Sequence, residues 1–323
     1  MSTTTHGRGH GQGHEPGQGH GRGQGHGRGR AHGRGRGHGP RRGPGRGRGE
    51  RGPLASIGLH AGLLLAVAVS LFPVVWLVLT SLKPRDSWLS AELRLFDHSS
   101  LDNYVRVLTA TEFPRWLLNS VLTAGLTMLA GVFLAATTGY AVSRFRFPGH
   151  RSVMWLLLIT QMFPVAILIV PLYNLMAGLG LLNQIPGLVI AYMTISVPFC
   201  AWMMKSYFDT VPVEIDQAAM VDGLTPFGTF WRVVLPLARP GIAVTAFYCF
   251  MTAWGEVGYA TVFMSQEDKR TLGVGLQQFV GQHWSDWGLM TASAVLIAIP
   301  AGAVFLLVQR HLITGLTAGA TKS

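Results

Sequence analysis

Six apolar runs dominate this chain, at about 54–82, 116–142, 152–176, 185–204, 240–264 and 288–309 of 323 residues. A helix rising about 1.5 Å per residue needs roughly 20 apolar residues to cross a hydrocarbon core about 30 Å thick, and each run meets that length. Beyond the first 53 residues the chain carries 15 basic and 13 acidic groups in 270 positions, too little charge to clothe a soluble globular domain. The runs therefore predict an all-α polytopic membrane protein with six transmembrane helices. The third and fourth, parted by Ala177-Gly178-Leu179-Gly180 and Asn183-Gln184, read as a hairpin. Small residues recur every fourth position at Gly131, Ala135 and Gly139 and at Ala294, Ala298 and Gly302, a spacing that lets helices approach closely in lipid. Pro73, Pro164, Pro171, Pro198 and Pro300 fall inside runs and are expected to kink them.

The first 53 residues have a different composition. They hold 20 glycines, 11 arginines, 7 histidines and only Glu15 and Glu50 as acids. With no large apolar side chain before Leu54, nothing offsets the entropy of ordering so glycine-rich a backbone, and the segment reads as a disordered tail. A topological anchor is the favoured role. Metal binding through the histidines and nucleic-acid contact through the Arg-Gly repeats compete with it, but no aromatic residue interleaves to stack on bases, so no nucleic-acid partner is expected. The run at 54–82 is too long for a signal-peptide core and reads as a retained membrane helix. Cys200 and Cys249 lie in apolar runs and suggest no disulfide framework.

Sidedness follows from Lys and Arg. With both termini cytoplasmic, the inner segments hold 19 of them and the outer segments 7; without the tail the balance is 8 to 7. The tail decides the orientation. The resulting division is a tail at 1–53, a first span at 54–82, an extracytoplasmic loop at 83–115, a five-span core at 116–310 and a cytoplasmic C-terminal tail at 311–323.

None of Lys83, Lys205, Lys269 and Lys322 sits in a phosphate-cradling G-x-x-x-x-G-K-[ST] loop, so no ATPase site of that type is present, and no catalytic or metal-binding set is discerned. The informative stretch is the loop at 207–238, between spans four and five. Pro212 suits a first helical turn, Glu214 and Asp216 complement the positive end of the dipole, and Gly223 suits the position just past a helix end. Thr225 then reads as the N-cap of a second helix that begins at Pro226 and stops at Pro236. Ala218 and Ala219 leave the first helix without bulk on one side, open to another protein's groove.

Here the sequence resembles the permease subunits of type I ATP-binding-cassette importers, whose signature is E-A-A-x3-G-x9-I-x-L-P. The match runs through Gln217-Ala218-Ala219, Gly223, Val233 and Leu235-Pro236; Gln217 replaces the acid and Val233 the isoleucine. Thr271-Leu272-Gly273-Val274-Gly275-Leu276-Gln277-Gln278 and Leu316-Thr317-Ala318-Gly319-Ala320 resemble the maltose/maltooligosaccharide branch, in its MalG-type subunit. The resemblance covers the chain from about residue 54 onward. It implies the type I importer permease fold and a multi-pass protein of the plasma membrane. The implied partners are a second, MalF-like permease, an ATPase dimer that uses ATP and Mg, and an extracytoplasmic solute-binding protein. This chain would bind no cofactor itself. By the same resemblance Glu214, Gln217, Ala218, Ala219, Asp222, Gly223, Leu235 and Pro236 form the coupling loop to the ATPase, with Glu214 or Asp216 in place of the missing motif acid. Gly273, Gly275 and Gln277 lie in the loop facing the binding protein.

Polar residues within the runs, Gln161, Asn174, Tyr192 and Glu256, are candidates for a translocation pathway, though packing or interhelical hydrogen bonding is the favoured reading of each. Glu256 leads them, because an acid in a span is expected to face a cavity or a partner. It also supports an alternative, an ion-coupled secondary carrier. A permease for another carbohydrate or for a glycerol-phosphate-like solute is a further alternative.

Overall fold

A computed structural model describes residues 53–84, 100–280 and 286–320, with side chains for 56–84, 100–280 and 286–311. The tail at 1–52 lies outside the described residues, as does much of the expected outer loop. The chain divides into two units, Met1–His60 and Ala61–Ser323. Of the first, the structure describes only the opening turns of a helix.

The described elements are α1 (Pro53–Ser81), α2 (Asp102–Thr109), α3 (Phe113–Arg144), α4 (His150–Thr160), α5 (Val165–Gly178), α6 (Ile185–Phe208), α7 (Val213–Val221), α8 (Pro226–Thr229), α9 (Leu235–Leu237), α10 (Arg239–Gly255), α11 (Gly258–Phe263), α12 (Leu272–Gly275) and α13 (Trp287–Ala320). A π-helical turn, Phe230–Val234, joins α8 to α9. Among the described residues four helices are long and apolar enough to cross a membrane, namely α1, α3, α6 and α13, and up to six crossings result if each of two bent pairs counts as one.

One bent pair and one helix end correct two expected continuous spans. The third breaks at 161–164 and turns by 106° between α4 and α5. Pro164 is the cause: its ring disfavours helical backbone at the preceding residue, and it has no N–H to give to the ladder. It sits at a break, whereas Pro73, Pro171, Pro198 and Pro300 remain within helices. The fifth span begins after an 83° bend at Ala238, and its helix ends at Gly255 instead of continuing to 264. Glu256 ends it, with extended backbone and a side chain turned to the following helix. The expected C-terminal tail is helical as far as Ala320.

α3 and α6 pack along each other and against α10. The small residues of α3 make this possible. A Cβ on Gly139 would stand 2.8 Å from the Lys205 nitrogen and 3.0 Å from the Ala201 oxygen, both backbone atoms of α6. One on Gly131 would stand 2.8 Å from the Cys249 sulfur of α10. Cys249 and Cys200 are free, buried thiols with sulfurs 3.4 Å apart. On the corresponding stripe of α13, Ala294 is half-buried whereas Ala298 and Gly302 are exposed, and nothing among the described residues lies near a Cβ built on Gly302.

The span of α1 has no buried residue in its most apolar stretch, with Leu64 and Phe72 both well exposed. So continuous an apolar surface is kept from water only by lipid or a partner. Its far end is tied down by polar contacts. Asn103 on α2 donates to the carbonyls of Ser81 (2.9 Å) and Lys83 (2.8 Å), and the Ser81 hydroxyl meets Tyr104 Oη at 2.6 Å.

Candidate coupling site

The loop between α6 and α10 forms its elements through local chemistry. Pro212, in extended backbone, precedes α7, and Glu214 and Asp216 occupy its first turn. At the other end Gly223 adopts φ +89°; its N–H donates to Met220 O (3.1 Å) and that of Leu224 to Ala219 O (3.1 Å). This double bond pattern is a Schellman cap, which favours glycine at the left-handed position. Thr225 caps α8, its hydroxyl oxygen accepting from the Gly228 N–H at 3.1 Å, with Pro226 in the first position. The expected stop at Pro236 is a correction. The proline lies inside α9, and the π turn ahead of it lets Leu235 N–H reach Phe230 O. The ladder thus steps past a residue that cannot donate, and the chain breaks two residues later.

Two residues of α3, Tyr140 and Arg144, hold α7 in place through Asp216. Asp216 is buried, contrary to its expected role as a substitute acid for a partner. Its Oδ2 lies 3.1 Å from Arg144 Nε, both side chains being about 5% exposed, and its Oδ1 accepts from Tyr140 Oη at 2.8 Å. Arg144 also donates through Nη2 to Val211 O (2.9 Å), just before α7 begins. Tyr140 stands among Phe230, Phe208 and Phe145, with ring centroids at 4.8, 5.6 and 6.0 Å. A cleft of 270 Å³ opens between Thr137, Tyr140, Phe145 and the α8 residues Pro226 and Phe227. Sequence reasoning missed Tyr140 and Arg144; a basic residue in the last turn of α3 was the available signal, but it named no partner.

Anchored from beneath, α7 shows its other face. Glu214, Gln217, Ala218, Val221 and Asp222 are exposed, and Val221 retains 87% of its surface. Phe227 and Trp231 continue this surface, at 67% and 50%. Ala219 turns inward with 6% exposure, so of the two alanines only Ala218 borders the open side. Leu235 and Pro236 are half-buried, and Leu235 packs on the core beneath. The arrangement is a rigidly seated short helix with a small, partly apolar, acid-flanked outer face, suited to occupying a groove in a protein partner.

The remaining candidates are dispersed. Gln161 lies at the break after α4 and donates to Ile195 O on α6 (3.2 Å). Asn174 is exposed on α5. Tyr192 is fully buried, its hydroxyl 3.5 Å from the backbone oxygen of Glu256. Glu256 is half-buried and accepts from the N–H groups of Tyr259 (2.9 Å) and Ala260 (3.4 Å), so its carboxylate caps α11 at the positive end of the helix. In the loop after α11, Gly275 is buried beneath Trp116, whose indole ring fills the space that a Cβ would need, and Gly273 abuts Val257. Gln277 is the exposed member of that trio. No group of three or more potential metal ligands occurs among the described residues.

Residues 104–317 match the family model described as "Binding-protein-dependent transport system inner membrane component". The chain belongs to this family. It is 38% identical over 283 residues to the maltose/maltodextrin transport system permease protein MalG of Salmonella typhimurium, covering 81% of this chain and 94% of that one. It is 35% identical to the trehalose/maltose permease protein MalG of Thermococcus litoralis, covering 83% and 98%. The sulfoquinovosyl glycerol permease protein SmoH of Agrobacterium fabrum is 32% identical, with 78% and 89% covered. Among solved structures, a chain of a bacterial ABC transporter that imports the acidic polysaccharide alginate superposes with a TM-score of 0.69 at 23% identity, covering 79% of this chain and 96% of that one. The fold is that of type I ABC importer permeases, and the chain is a carbohydrate importer's membrane permease, a transport component of the plasma membrane.

Proposed function

We propose that this permease serves an importer of maltose or maltooligosaccharides, and that α7 is the lever by which an ATPase dimer drives it. The observation that carries the coupling role is the contrast across α7, a buried Arg144–Asp216 pair on one face and exposed Gln217, Ala218 and Val221 on the other. A lever needs both a rigid seat and a surface to be gripped. Closing of the ATPase pair on ATP would draw the docked helices together, and α3 and α6, packed along each other, would carry the movement to the opposite side as a switch of access. Such switching uses the discrete, closely packed arrangements of interior helices.

In this reading the chain works with a second, MalF-like permease, to which exposed faces of α1 and α13 are available. ATP and Mg are used by the ATPase and no cofactor is held here. Both termini and α7 face the cytoplasm, and the loop containing Gln277 faces an extracytoplasmic solute-binding protein. The exposed Glu214 and Asp222 supply the negative charge next to Gln217 that the motif acid would have supplied. Asp216, being buried, does not. Maltose is favoured over other sugars by the 38% identity to the Salmonella protein across nearly its whole length, against 32% for the sulfoquinovosyl glycerol permease.

The test is reconstitution of the full transporter with its binding protein in vesicles. Maltose or maltotriose should stimulate ATP hydrolysis and accumulate inside at least tenfold better than trehalose or chitobiose. Stimulation by another sugar alone would remove the maltose assignment while leaving the coupling role intact. Replacing Ala218 by Trp should abolish stimulated hydrolysis with the protein still inserted; full stimulation in that variant would remove the coupling role.

A further inference from the structure

The turn from α3 into α4 closes around a cavity of 640 Å³ that no part of the coupling mechanism uses. Arg144, Arg146, Arg151, Lys205 and His150 line it, and no carboxylate does. Two of these cations are committed. Arg144 is paired with Asp216, and Lys205 Nζ meets Asp209 Oδ2 at 2.5 Å while Ser143 donates to the other oxygen of Asp209 at 2.7 Å. Arg146 and Arg151 are exposed, and neither has a carboxylate within ion-pair distance among the described residues. Four permanent cations against two acids leave the cavity with two uncompensated positive charges.

Its position narrows the choice of anion. Arg144 is the last residue of one membrane-length helix and Lys205 lies in the last turn of another, so the cavity sits where these helices leave the hydrocarbon. From its rim α4 runs on with Trp155, Leu156 and Ile159 exposed, an apolar strip beside a cationic pocket. A soluble anion would use the pocket and leave the strip bare. An amphiphile would use both.

We propose that this cavity binds the phosphate of an anionic membrane phospholipid, with Arg146 and Arg151 holding the headgroup and the acyl chains lying along the exposed face of α4. Basic pockets between helices at a membrane surface recognise such headgroups, and guanidinium groups offer paired donors that match phosphate oxygens. The bound lipid would brace the turn that orients Arg144, and through it the seat of α7. The assignment of this site to the cytoplasmic leaflet rests on the orientation proposed above; headgroup binding itself does not.

The test uses the assembled transporter with the full chain, in nanodiscs holding phosphatidylglycerol and phosphatidylcholine in both leaflets, so that sidedness does not enter. Native mass spectrometry after release into detergent should show phosphatidylglycerol retained in preference to phosphatidylcholine. Arg146→Gln with Arg151→Gln should lower that retention about 30-fold, the loss expected for two surface cations, whereas Arg146→Lys with Arg151→Lys should keep most of it. A photoactivatable phosphatidylglycerol should label residues 145–156 of the unaltered protein. Retention unaffected by the glutamine pair, or labelling confined to other segments, would overturn the proposal. Inorganic phosphate at 50 mM should leave the lipid in place; its displacement would identify a soluble anion as the occupant and overturn the lipid assignment. A transporter that retains the lipid but fails the sugar assays would refute the functional reading alone.

Discussion

Asp216→Ala is the most revealing single perturbation of the coupling site. Alanine costs nothing in helix propensity, so the loss falls on the interaction beneath. The substitution leaves the Arg144 guanidinium buried without its carboxylate and takes from Tyr140 the acceptor that its hydroxyl uses at 2.8 Å. Removing one partner of a buried ion pair costs about 3–5 kcal/mol. At about 1.4 kcal/mol per decade, even the lower bound shifts the seated-to-unseated ratio of α7 by more than a hundredfold. The whole fold need not fail, because the helix is nine residues long and joined to its neighbours by turns on both sides. Backbone hydrogen exchange of 213–224 in the assembled transporter should accelerate by about two orders of magnitude, with α3 and α6 little changed, and solute-stimulated ATP hydrolysis should fall. Replacing Arg144 and Asp216 together by methionine and leucine should restore much of the protection, since an apolar pair of similar volume is often as stable as the ion pair it replaces. Unchanged exchange in Asp216→Ala would refute the anchoring argument. So would a double variant whose loss equals the sum of the two single losses, because coupled partners are not additive.

Substitutions at four other positions test separate parts of the structure. Gly139→Ala should push α3 from α6 and destabilise the chain by about 1–3 kcal/mol, seen as a lower detergent melting temperature, whereas Gly302→Ala, at an open position, should change it little. Gly223→Ala must hold an L-residue at φ +89° for about 1–2 kcal/mol, and Gly223→Pro should abolish coupling outright, because its fixed φ cannot form the Schellman turn; equal uptake by glycine and proline forms would refute the capping argument. Glu256→Gln, which keeps an acceptor for Tyr259 N–H, should transport almost normally and remain indifferent to collapse of the proton gradient. Uptake that vanished with the gradient would restore the ion-coupled alternative.

What was legible in the sequence was whatever depends on residues a few positions apart. Apolar run length announced the membrane helices, and Pro212, Gly223, Thr225 and Pro226 spelled out the coupling loop, because caps and turns close bonds between near neighbours. The spacing of Gln217-Ala218-Ala219, Gly223, Val233 and Leu235-Pro236 pointed to the family as well. Local rules also marked Pro164, yet a kink and a 106° break look alike in sequence; the difference depends on how α5 packs against α6 and α11.

Other features were decided only by tertiary structure. Asp216 carries the same local signal as Glu214, an acid in a first helical turn, but one is buried against Arg144 and Tyr140 and the other faces out. Gly275 was grouped with Gln277 by motif, and Trp116, more than 150 positions earlier, separates them by occupying the space above the glycine. The physical reason is common to both. Periodicity and capping are set by bonds along the chain, whereas burial and charge pairing depend on which distant surfaces meet, and that is determined when the helices pack.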